Sequence, residues 1–140
     1  MTWDMRVIIP NRVVYVDYSE DAKGEDVAEA LGAVIEEINK RDNNSDIFYC
    51  ISKSADTNSN TLNDLKSAFS QFRAIPRHTC TLLVSKDKIT GFFADVIFSM
   101  RALRLVRVDS VEDAIAFIEK EADDLKDKLS IELFDTNAVR

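Results

Sequence analysis

The chain has 140 residues, 46% of them apolar and 31% charged, with a formal net charge of −7. A chain of that length folds as one domain and buries roughly two thirds of its unfolded surface, so its core needs neither metal nor disulfide. The acidic balance argues against nucleic acid as the main partner. No window approaches the roughly 18 apolar residues of a membrane span, and Met1–Arg6 carries Asp4 where a signal peptide would be basic.

In chain order, Met5–Ile9 and Val13–Tyr18 read as strands, joined across the turn formers Pro10 and Asn11. The second is nearly continuous in apolar residues, as a strand covered on both faces should be. Gly24–Arg41 reads as a helix, with Val27, Leu31, Val34, Ile35 and Ile38 on one face. Ile47–Ile51 is a third strand, and Ser52–Asn60 a polar connection. A second helix is expected over Thr61–Ala74, ended by Pro76. His78–Val84 gives the fourth strand, Lys88–Leu103 a third helix and Arg104–Val108 the fifth strand. Ser110 is a good N-cap for a last helix, along which Val111, Ile115, Ile118, Ala122, Leu125 and Leu129 recur at steps of four and three. The order β-β-α-β-α-β-α-β-α implies an α/β fold: a five-stranded, mostly parallel mixed sheet with about four helices and an antiparallel first strand. Residues 1–129 form the domain; 130–140 form either a short extra element or a frayed tail. Val14, Val16, Phe48, Cys50, Leu82 and Val84 are expected to be buried.

Little in this pattern suggests catalysis. Cys50 and Cys80 lie in separate apolar runs without a CxxC, so both are expected to be buried and reduced. Gly24, Gly32 and Gly91 form no phosphate-binding motif. His78 is the only histidine, and its place at the start of a doubly covered strand suggests a packed, structural role. Asp17, Glu20 and Asp21 end the second strand, where receiver-type domains hold Mg²⁺, but the third strand ends in Ile51-Ser52-Lys53 without the acid such a site needs. No metal, no cofactor and no enzymatic activity are therefore expected.

Charge is segregated along the chain. Residues 1–65 hold six basic and thirteen acidic side chains, 66–107 eight basic and two acidic, and 108–140 four and ten. Two features stand out. Ser52–Thr61 is rich in hydroxyls and leads into a helix N-terminus, which suits either turn formation or a phosphoryl group. The third helix carries Phe92, Ile97 and Phe98 beside a core stripe of Ile89, Phe93, Val96, Met100 and Leu103. A stripe that wide fits a fully buried helix, a subunit interface, a lipid-facing surface or the wall of an apolar pocket.

Cys80-Thr81-Leu82-Leu83-Val84, the apolar helix Phe92–Met100, and the run Leu105–Ile118 with its Arg107-Val108-Asp109-Ser110-Val111-Glu112-Asp113-Ala114-Ile115 entry into the last helix resemble the STAS-type (anti-sigma-factor-antagonist, SpoIIAA-like) domains. The small bacterial STAS-like proteins are the nearest in kind. The resemblance covers about residues 5–125 and implies a regulatory or protein-interaction module in the cytoplasm. Asp56-Thr57-Asn58-Ser59 stands where phospho-switched members carry an acid-hydroxyl motif, which makes Thr57 and then Ser59 the candidate phosphoacceptors; the glycine of that motif is absent. Phe92, Ile97, Phe98 and Arg101 form the candidate interaction surface, for a protein partner or a second copy in a homodimer. Binding of an apolar small molecule or lipid, at a membrane surface in one version, is the alternative.

Overall fold

The computed structural model describes residues 3–19, 22, 24–40, 46–53, 75–76, 78–85, 95, 98–99 and 103–134. Five strands form one sheet: β1 (Trp3–Ile9), β2 (Val13–Tyr18), β3 (Phe48–Lys53), β4 (Thr79–Val84) and β5 (Arg104–Val108). They lie in sequential order, with β1 antiparallel to β2 and every later neighbour parallel. The α/β class, the five-stranded mixed sheet and its direction pattern are as the sequence implies. Two α-helices are described, α1 (Gly24–Asn39) and α2 (Val111–Glu121). The expected helix over 61–74 lies outside the described residues. Of that expected over 88–103, Asp95, Phe98 and Ser99 are described, and they are helical.

The hairpin between β1 and β2 closes with Arg12 N–H donating to Ile9 O at 3.0 Å. Asn11 sits at φ 68°, a left-handed conformation that asparagine tolerates better than most residues. A register shift between Val7 and Ile9 marks a bulge, after which Ile8 and Ile9 both pack with the α2-side core.

Alternation along the central strands divides the core into two layers. Val14, Val16, Phe48 and Cys50 meet Ala30, Val34 and Ile38 of α1. Val13, Tyr15, Tyr49, Ile51, Cys80, Leu82 and Val84 meet Ala114, Ile115 and Ile118 of α2 on the other face. The six strand positions named above as core are all buried. His78 departs from expectation: β4 begins one residue later, and the imidazole is exposed in the turn before it, so the doubly covered sheet does not enclose it.

Ser110 caps α2 as its sequence suggests, its hydroxyl accepting from Asp113 N–H at 3.1 Å. The helix stops at Glu121, short of the Leu129 its periodicity implies. Glu121, Asp123 and Asp124 crowd acids at the negative end of the helix dipole, and Ala122 turns extended. A 3-10 turn, Asp123–Leu125, follows; its period of three still carries Ala122 and Leu125 into the core. Asp127, at φ 66°, donates its backbone N–H to Glu119 at 2.7 Å. A second 3-10 turn, Ile131–Phe134, resolves the choice left open for the described part of 130–140: it is a short element, and Phe134 belongs to the α2-side core.

Candidate interaction surface

Phe98 lies not on a surface but in the core. It is 6% exposed and packs with Leu31, Ile35 and Ile75, flanked by Val27, Ala28, Leu103 and Leu105. This corrects its assignment to an interaction surface: a ring off the stripe of its own helix is covered by α1 and by the residues leading into β4 and β5. Phe92, Ile97 and Arg101 lie outside the described residues, as do Thr57 and Ser59.

The basic stretch is partly neutralised inside the fold. Arg104 pairs with Glu121 of α2 and stacks its guanidinium 5.5 Å from the Phe117 ring. Arg107 pairs with Asp95 at 3.0 Å. From the acidic segment 1–65, Arg12 pairs with Asp124, which holds that carboxyl below its usual range, and donates to Ile47 O at 3.2 Å. Of these pairs, Arg104 with Glu121 joins the basic stretch to the acidic segment 108–140, Arg107 with Asp95 closes within the basic stretch, and Arg12 with Asp124 links the two acidic segments.

The buried thiols are inert. Burial pushes both Cys50 and Cys80 up to about 11, and they face opposite sides of the sheet. Cys50 Sγ lies 3.7 Å from Ser52 Oγ, whose hydrogen bond partly offsets the effect of burial. Tyr49 is likewise pushed up to about 12, first by burial and then by Glu121. Between about pH 9 and pH 11 the unfolded chain releases protons that the folded thiols keep, so stability is expected to fall as pH rises through that window. Urea midpoints taken at steps across it check this; a flat profile would contradict the burial of these groups.

At the carboxyl ends of the parallel strands, one row in register reads Asp4, Asp17, Lys53, Val84, Val108. Asp17 is half-buried, and desolvation raises its pKa; Lys53 acts against that shift and Asp4 adds to it. Two like charges directly opposite across a ladder are unfavourable, so this pair is an electrostatic fault at the sheet's edge. Among the described residues no three His, Cys, Asp or Glu side chains gather as metal ligands, and no helix is long and apolar enough to cross a membrane. An open depression of about 310 Å³ below α2 mixes Glu119, Asp123 and Asp127 with Lys120 and Lys126, which gives it no single sign of charge.

The exposed apolar side chains lie elsewhere. Among the described residues, the large ones are Val7 at 39%, Ile131 at 44% and Leu133 at 41%. They belong to β1, an edge strand of the sheet, and to the 3-10 turn beside it. Arg6, next to Val7, ties the two together by donating to Leu133 O at 3.1 Å. On the α1 side of β1, Trp3 donates its indole N–H to Glu29 at 3.2 Å, and Met5 packs on the α1-side core. Sequence reasoning passed over this patch, although the alternation of Trp3, Met5 and Val7 with Asp4 and Arg6 already marks a strand not buried on both faces. Compared with family models, curated proteins and solved structures, the chain matches none.

Proposed function

We propose that this chain is a non-enzymatic, STAS-type module that works by docking a protein at the edge formed by β1 and the Ile131–Phe134 turn. One observation carries the reading: the edge strand β1 has exposed apolar groups on both flanks, Val7 on its α1 side and Ile131 and Leu133 in the turn on its α2 side. A strand edge offers hydrogen-bonding groups in a row and adjacent apolar side chains supply contact area, a combination suited to strand addition. The STAS reading is supported by the strand order and directions and by the Ser110 cap at the entry to α2.

Native mass spectrometry of the chain isolated from its own host, beside a V7D/L133D variant, tests the proposal. The expected result is a defined protein complex, homomeric or heteromeric, that the variant loses. A complex that survives both substitutions, or a chain carrying an apolar small molecule and no protein, would overturn it.

A further inference from the structure

We infer that the occupant of the β1 edge is β1 of a second copy of this chain, paired antiparallel about a twofold axis through Met5. The inference rests on the reading of this edge as a docking surface and names the partner. The strand runs Trp3-Asp4-Met5-Arg6-Val7-Ile8-Ile9. Reversed about Met5, it sets Asp4 opposite Arg6 of the partner subunit and Arg6 opposite the partner's Asp4. It sets Trp3 opposite the partner's Val7, and Met5 against its own image. An isologous contact demands that kind of self-complementarity, in which residue i meets j and j meets i.

Neighbouring registers lack it. Reversal about Arg6 opposes two guanidiniums, and reversal about Asp4 opposes two carboxylates. Charged residues on an edge strand ordinarily guard against indiscriminate pairing; here they admit a copy reversed about Met5 and penalise reversal about either neighbouring charge. The same pairing answers the fault at Asp4 and Asp17, which face each other in register. With the partner's Arg6 added, the row across the joined sheets becomes Arg6, Asp4, Asp17, Lys53, in which each carboxylate has a cation on its outer side. Arg6 is already engaged within the fold, donating to Leu133 O among its contacts, and the five donors of a guanidinium allow several partners at once. The opposite edge offers no equivalent: β5 reads Arg104-Leu105-Val106-Arg107-Val108, without an acid to receive a reversed copy.

Sedimentation equilibrium of the full chain with D4R, R6D and the D4R/R6D double reversal tests the inference. Each single reversal brings like charges together at two symmetry-related places and is expected to weaken the dimer about tenfold or more, whereas the double reversal restores opposite charges and the dimer with them. A second measurement stands independently of how the reversals fold. M5C is expected to form a disulfide-linked dimer under copper-phenanthroline, since directly opposed Cβ atoms lie about 4.5–5.5 Å apart, and V7C is not; Cys50 and Cys80 are buried and do not compete. A monomer at all concentrations, a dimer indifferent to the single reversals, failure of the double reversal to restore it, or cross-linking through V7C in place of M5C would each overturn the inference. Loss of a heteromeric complex in V7D/L133D from a chain that is itself monomeric would do so while leaving the docking reading intact.

Discussion

Replacing Phe98 with alanine is expected to destabilise the domain by about 3–5 kcal/mol, the range for deleting a buried aromatic ring. The ring packs among Leu31 and Ile35 of α1, Ile75 and the start of β5. Its helix also delivers Phe98 O to Leu103 N–H at 2.9 Å, which closes the turn into β5, so a cavity at Phe98 loosens both α1 and that strand. For a domain with a total stability of roughly 5–15 kcal/mol, such a loss moves the unfolding midpoint by a large fraction of its value. Urea unfolding followed by circular dichroism, with the slope compared to the parent, is the measurement. A variant that kept full stability but changed its state of association would return Phe98 to the surface.

The contrast between Phe98 and the sheet shows what the sequence can disclose. The central strands announced themselves because burial on both faces leaves a local record: Val13–Val16, Phe48–Ile51 and Thr79–Val84 are nearly unbroken apolar or small runs. The hairpin was legible for a similar reason, since Pro10 and Asn11 suit that turn in isolation. Phe98 left no such record. An off-stripe aromatic looks the same in sequence whether a neighbouring helix or a partner covers it, and only the position of α1 decides. The end of α2 was misread because steps of three and four serve both an α-helix and a helix continued by 3-10 turns; Ala122 and Leu125 remain buried on either path. Ion pairs such as Arg12 with Asp124 span 112 positions and depend on where the last turns fall.

The β1 edge was illegible for a different reason. That β1 would be antiparallel followed from the short connection, but its standing as an edge depends on what lies on its far side, which is a property of the assembled sheet. The consequence for function is specific. The one candidate surface residue described on the helix with surplus phenylalanines, Phe98, is a core contact. The exposed apolar groups sit on an alternating strand that looked unremarkable, and on a turn first grouped with the tail.

That turn carries the other large expected effect. Phe134→Ala should cost about 3–5 kcal/mol, while Leu133→Ala, one residue away and 41% exposed, should change stability by no more than about 0.5 kcal/mol. Phe134 is 5% exposed and meets Tyr15 edge to face, with ring centroids 5.2 Å apart and planes at 84°. Such a ring pair contributes about 0.5–1.5 kcal/mol beyond the area it buries. Tyr15 lies beneath it in the centre of β2, its phenol held above the ordinary range by burial and then by Asp17. Losing the Phe134 ring therefore opens the α2-side core over β2 and releases the turn that Arg6 fastens to β1. Thermal melts of the two single variants separate these contributions. Hydrogen exchange of β1 amides should quicken in Phe134→Ala and stay near the parent rate in Leu133→Ala. Equal stability of the two variants would mean that residues 131–134 are peripheral, and the docking edge would then have no rigid support on that side. A large difference, with β1 exchange following Phe134, would place the turn within the domain's cooperative unit and make the β1 edge a surface built on a fixed core.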